Sequence, residues 1–402
     1  MGESPALTKW AERRGASPYE LFYDLVFVGA VLGLSLSFGG NTDPSEILVA
    51  AAVFLFAWWV WQETMLFSNR FGDPLAPLPV GGSRRDARLA FATRIVCLIQ
   101  MIAIVVLALD RPDDLLPEQI DSGFAWASLV AAASVLALWE LGSRIAPERE
   151  ADARKRRFWS LVAIVIFLAA ALSPGVIDES LWALGLLVLV GAGSVLRGGK
   201  EDPLPPTQLK HISDRLMLFV LIVSGDLFLK IIVYWNASLA QDFELVQLLF
   251  VSLIIFSFFR IYTSAVVSRP VPDRPAGLKV WLTLHYLLSF ALLVAAGGMV
   301  EYVTPKKGVD SWILLTAGIG LAVAILAIAA LYGYSGSSAS RSRVKGLCLS
   351  SAVMVAATFA VAFLTPGDWR IGVGTLAVIM VGTAVWTSLL ERSGADAGAT
   401  AG

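Results

Sequence analysis

Charge, cysteine and histidine are all scarce in this chain. Asp, Glu, Lys and Arg make up 16% of its 402 residues, where a soluble domain carries about 25%. Hydrophobic residues make up 57%, and the mean hydropathy is +0.72. This composition excludes a soluble globular enzyme and a disordered chain, and leaves an integral membrane protein that crosses many times. The two cysteines, Cys97 and Cys348, both lie in apolar runs. Neither a disulfide framework nor a zinc site is expected from them. Two histidines, His211 and His285, are too few for a histidine-based metal cluster, so no metal and no cofactor is expected. A net charge of -1 provides no basic field for nucleic acid. No Walker lysine loop, H-E-x-x-H, G-x-S-x-G or C-x-x-C occurs. An intramembrane enzyme would have to work with carboxylates, arginine and a single histidine, and is the least favoured class. The first 19 residues are polar and basic, and no A-x-A pattern follows the first apolar run. That run is read as a retained span.

What is abundant is apolar sequence at membrane length, roughly 20 residues per span. Twelve such stretches predict an all-α polytopic fold, or ten full spans if the short fifth and sixth (Phe158–Leu172 and Leu181–Leu196) form a shallow hairpin around Ser173-Pro174-Gly175. With alternating sidedness and the N-terminus inside, Arg111, Lys306, Lys307 and Arg370 fall in outer loops and Arg94 and Lys230 within spans. The rest of the 31 Lys and Arg lie on the inner side. Such a bias matches the positive-inside rule and predicts that both termini are cytoplasmic. The expected organisation is a cytoplasmic segment 1–19, a six-helix half 20–196, a Pro- and Gly-rich linker 197–214, a second six-helix half 215–392 and a disordered tail 393–402.

Charges inside spans are costly, about 2.5–3.5 kcal/mol each at the helix centre. Those present therefore pair, face the bundle interior or do chemistry. Glu20 and Asp24 stand at i,i+4 on one face of the first span, so they need a cation between them or a shared proton. Glu63 ends the second span, Arg94 lies about 8 Å into the third, Glu140 ends the fourth, Asp214 and Arg215 open the seventh, and His285 lies one turn into the ninth. All share one cytoplasmic depth, which predicts a polar vestibule. Asp226 and Lys230 form a separate i,i+4 pair deeper in the seventh span, acid first, the favourable order. Glu301 ends the ninth span at the outer face and reads as solvated. The tryptophans Trp58, Trp59 and Trp61 read as packing and interface anchors. Gly29-x-x-x-Gly33 predicts close helix contact for the first span.

Four stretches carry a family resemblance. Residues 20–28, ELFYDLVFV, resemble the opening signature E-L-F-F-D-L-V-F-V of the bacterial low temperature requirement protein A family. AWWVWQETMLFSNRF in the second span is similar to that family's tryptophan-rich helix ending in N-R-F. DRLMLFVLIVSGD in the seventh is similar to its E-R-F-x-L-F-x-I-I-V-L-G-E, and HYLLSFALLVAAGGMVE in the ninth to its His-led helix ending G-x-E. The chain departs from the pattern with Asp214 and Asp226 in place of Glu, and with Leu216-Met217 in place of F-G. The resemblance implies a multi-pass protein of the bacterial inner membrane with a role in growth at low temperature, and no defined molecular activity. It places Glu20, Asp24, Asn69, Arg70, Asp214, Arg215, Asp226, His285 and Glu301 on signature positions.

The expected function is movement of a small cation or a proton-coupled solute, by a transporter or channel whose partner is otherwise the lipid bilayer. Glu20 and Asp24 would bind, Arg94 and His285 would tune their protonation, and Asp226 would form a second site. The rival expectation is a non-transporting membrane component for cold growth or lipid homeostasis.

Overall fold

The computed structural model describes residues 17–36, 44–71, 84–110, 122–145, 147, 150–173, 177–192, 206–237, 245–272, 275–303, 311–335, 341–366 and 368–399. Residues 1–16 and the loop cations Arg111, Lys306 and Lys307 lie outside them. The described residues are helical with no strand among them. In chain order the helices are α1 (Pro18–Leu36), α2 (Pro44–Phe71), α3 (Arg84–Leu109), α4 (Ser122–Ile145), α5 (Glu150–Leu172) and α6 (Ile177–Leu187). There follow α7 (Pro206–Ala237), α8 (Leu245–Tyr262), α9 (Pro275–Val303), α10 (Ser311–Tyr334), α11 (Arg341–Leu364) and α12 (Trp369–Ala399). Single π-helical turns, Val188–Ala192 and Thr263–Val267, extend α6 and α8.

A helix thus falls on every apolar stretch of the sequence. Eight are long and apolar enough to cross a membrane: α2, α3, α4, α8 with its π turn, and α9 to α12. The stretch Ser180–Gly191 in α6 is shorter. Two boundaries differ from the sequence expectation. α7 begins at Pro206, so the last part of the presumed linker is helical; proline at the first helical position starts a helix rather than breaking one. α12 runs to Ala399, so helix covers most of the segment expected to be a disordered tail.

The described residues gather into two compact units. One holds those up to Leu34 and Pro44–Arg215; the other holds Ser35, Leu36 and those from Leu216 onward. In the first, α3, α4, α5 and α6 pack serially and α2 lies against α4. Its core is aromatic: Phe56 of α2 meets Phe167 of α5 edge-on at 5.4 Å, and Trp182 of α6 meets Phe124 of α4 at 5.3 Å. The Trp182 indole also donates to Ser128 Oγ at 3.0 Å.

In the second unit, α9 to α12 pack serially and α8 lies against α12. The α9–α10 contact is made backbone to backbone. A β-carbon on Gly298 would sit 2.8 Å from the Ala317 nitrogen, and one on Gly320 2.8 Å from the Ala295 nitrogen. The glycines expected to do this, Gly29 and Gly33 of α1, do not: nothing described lies within 4 Å of a β-carbon at either. Outward faces are apolar, as with Phe91, Ile102 and Leu109 on α3 and Leu349 and Phe363 on α11, all exposed.

Candidate functional site

The entry to α1 is set by a capping box, Ser17-Pro18-Tyr19-Glu20. The Glu20 N–H donates to Ser17 Oγ at 3.1 Å and the Ser17 N–H to Glu20 Oε2 at 2.9 Å. This fixes where Glu20 and, one turn on, Asp24 enter the bundle. Both are buried, at 3% and 2% exposure.

Asp24 is fully engaged. Arg215 of α7 clasps it with two bonds, Nε to Oδ2 at 3.0 Å and Nη2 to Oδ1 at 2.5 Å. The Trp61 indole of α2 adds a third, at 2.7 Å to Oδ1. Arg215 also donates to Ser68 Oγ at 3.1 Å, and its guanidinium carbon stands 5.7 Å from the Trp61 ring. The arginine is 1% exposed. A planar, permanently charged fork against a carboxylate is the geometry that makes such a buried pair tolerable. Trp61, read from sequence as packing, here supplies a specific donor.

Glu20 meets a different partner. His211 of α7 places Nε2 3.2 Å from Glu20 Oε2 and Nδ1 2.9 Å from Asn69 Oδ1. The Asn69 amide nitrogen donates to the Met65 carbonyl at 2.9 Å, which turns its oxygen toward the imidazole. An amide oxygen only accepts, so Nδ1 carries a hydrogen. Nε2 then faces a carboxylate, another acceptor. The contact requires one further proton, held by the imidazole or by the carboxyl. Close by, Tyr23 donates to Gln100 Oε1 at 2.8 Å and the Thr64 hydroxyl lies 2.8 Å from the same oxygen. Gln100 is 0% exposed, and its Nε2 has no hydrogen-bond partner among the described residues.

The Asp24 arrangement recurs on the same unit. Glu63 accepts from Arg156 at 2.8 and 2.6 Å and from the Trp139 indole at 3.0 Å, with Arg156 lying 4.4 Å from that ring. Glu140, half-exposed, pairs with Arg144 at 2.9 Å and with Arg157. Arg94 and Arg70 are half-buried on α3 and α2, and Asp214 is half-buried on α7. Among the described residues, His211 meets Glu20 and Arg215 meets Asp24.

The remaining candidates belong to the second unit. Lys230 and Asp226 pair at 3.3 Å, both buried. His285, 1% exposed, has Nδ1 2.8 Å from the Trp281 carbonyl and Nε2 3.2 Å from the Tyr262 hydroxyl. Glu301 is buried at 5% exposure, which corrects its reading as a solvated helix end: packing, not position along the helix, decides its environment. Among the described residues no group of three or more His, Cys, Asp or Glu could hold a metal ion.

Eight apolar helices of membrane length and a charge cluster sealed inside the first unit define a multi-pass helical membrane protein. The chain belongs to the bacterial low temperature requirement A protein family, whose model matches residues 15–385. It is also 24% identical over 291 residues to an uncharacterised protein of Rhizobium meliloti (strain 1021), covering 71% of this chain and 67% of that one. No solved structure matches. The matched span contains the whole of the Glu20, Asp24, His211 and Arg215 cluster. Sequence reasoning missed His211, Ser68 and Gln100; the available signal for His211 was its i,i+4 spacing to Arg215 on one helix face.

Proposed function

We propose that the protein is a proton-coupled transporter of the bacterial inner membrane, with twelve helices in the bilayer, both termini cytoplasmic, and its proton held between Glu20 and His211. The observation that carries this is the hydrogen-bond accounting at His211. Asn69 fixes Nδ1 as a donor, so the 3.2 Å approach of Nε2 to Glu20 exists only while the pair holds a proton. Removing that proton sets two acceptors against each other and weakens the link between α1 and α7.

Asp24 and Arg215, one turn along the same two helices, keep their charges and act as the fixed point about which that link opens and closes. The lone-cation version of the reading has less support, because Arg215 already occupies the Asp24 carboxylate. The sidedness rests on the distribution of Lys and Arg among the loops. Apolar outward faces fit direct contact with lipid.

The test is proton flux in liposomes carrying the purified full chain and an internal pH dye. An imposed pH gradient is expected to dissipate faster than in empty vesicles, and Glu20→Gln and His211→Gln are each expected to remove most of the increment. Equal rates with and without protein contradict the proposal and favour a non-transporting membrane component.

A further inference from the structure

At one end of the second unit, arginines from three segments converge. Arg260 ends α8, Arg343 opens α11, and Arg269 follows the π turn after α8. Arg260 and Arg343 share a single carboxylate, Glu391 of α12: Arg260 binds Oε2 at 2.9 Å and Arg343 binds Oε1 at 3.0 Å. Arg343 also donates to Ser264 Oγ at 2.5 Å. Both Arg343 and Arg269 lie against the ring of Tyr332, the guanidinium carbons 4.9 and 4.7 Å from its centre, and Arg269 donates to the Tyr332 hydroxyl at 2.8 Å.

The charges of the Arg260–Arg343–Glu391 group do not balance. Two arginines face one carboxylate, so a positive charge is left over. Arg260 is 42% exposed, but the Arg343 side chain is only 5% exposed, and its Nε is buried with no hydrogen-bond partner among the described residues. A buried guanidinium donor without an acceptor is costly, the more so because the group is charged.

The position along the helices narrows the missing partner. Arg260, Tyr332, Arg343 and Glu391 all stand in the last or first turns of helices long and apolar enough to cross a membrane, and the ends of such helices are where a bilayer gives way to water. There the abundant anion is phosphate, which arginine recognises with parallel N–H donors. We propose that Arg260, Arg269 and Arg343 with Tyr332 form a binding site for a phosphate group, the chemistry shared by phospholipid headgroups and free phosphate. Glu391 holds the arginines in place when the site is empty and competes with the ligand when it is occupied. The site lies wholly within the second unit and does not depend on the proton-transport reading.

The experiment uses the full chain in nanodiscs of phosphatidylcholine alone or with one fifth phosphatidylglycerol, and in phosphatidylcholine with added inorganic phosphate. Thermal unfolding is followed in each, for the natural chain, for Arg343→Gln and for Glu391→Gln. A rise of several degrees with phosphatidylglycerol that Arg343→Gln abolishes supports the site with a lipid as its source. The same rise with inorganic phosphate instead supports it with free phosphate as the source. Glu391→Gln is expected to enlarge the anion-dependent rise, because the competing carboxylate is gone; a merely structural ion pair predicts the same loss in every membrane. No anion-dependent rise in the natural chain, or a rise of equal size in Arg343→Gln, overturns the proposal. If Arg343→Gln fails to fold, a Glu391→Gln chain with no enlarged rise overturns it on its own.

Discussion

Arg215 grips Asp24 with two hydrogen bonds, at 3.0 and 2.5 Å, across a separation of 191 residues. The bond ties the start of α7 to the first turns of α1. Breaking a buried pair by removing one partner costs about 3–5 kcal/mol, because the other charge is stranded. Arg215→Gln is therefore expected to lower the unfolding temperature sharply, and Asp24→Asn combined with it to recover much of the loss. A double-mutant cycle by thermal unfolding checks this; additive losses would show that the pair is not coupled.

The Trp61 indole separates packing from donation. Trp61→Phe keeps most of the ring's bulk beside Phe27, whose ring centre lies 6.0 Å away, and removes the N–H that meets Asp24 at 2.7 Å. A loss of about 1.5–3 kcal/mol is expected, the range for a hydrogen bond to a charged group. In the Asp24→Asn background the same substitution is expected to cost less. Equal costs in both backgrounds would return Trp61 to a purely steric role.

The Glu20–His211 contact is expected to depend on pH. It needs a proton beyond those of a neutral imidazole facing a carboxylate, so it is favoured by low pH and weakened when that proton leaves. Glu20→Gln replaces the carboxylate with an amide that donates to Nε2 without titrating. Hydrogen-exchange protection at the start of α7, corrected for the intrinsic pH dependence of exchange, should fall as pH rises in the natural chain and stay constant in Glu20→Gln. Constant protection in the natural chain would remove the proton from the contact.

Two glycine pairs give opposite expectations. Gly320→Ala forces a β-carbon to within 2.8 Å of the Ala295 nitrogen on α9, and overpacking of this kind costs about 1–3 kcal/mol. Gly29→Ala meets nothing within 4 Å among the described residues and is expected to stabilise α1 by about 0.5–1 kcal/mol. Thermal unfolding of the two variants distinguishes them, and a destabilised Gly29→Ala would point to a helix contact at α1.

The helices were legible in the sequence because hydropathy at membrane length is a local property. So was the importance of Glu20 and Asp24, since two carboxylates one turn apart in an apolar helix demand compensation. Their partners were not. Arg215 was visible as a charge at the right depth, yet nothing local says which helix it faces. His211 was hidden by the prolines and glycines before it, which made 197–214 read as a linker; Pro206 in fact starts α7. Glu301 and the Gly29–Gly33 pattern were misread for the same reason: burial and close approach are set by tertiary packing, which helix-end position and a short motif do not encode.

If the charge cluster in the first unit works on protons, Glu20 cannot be replaced by a group that does not titrate. Proton flux through liposomes holding a Glu20→Gln chain, compared with the natural chain at matched folded content, decides this. Its amide keeps the Glu20–His211 contact and the fold while removing the titrating group. A folded Glu20→Gln protein of normal melting temperature is expected to have lost most of the flux above empty vesicles. Flux equal to that of the natural chain would leave the cluster as packing alone.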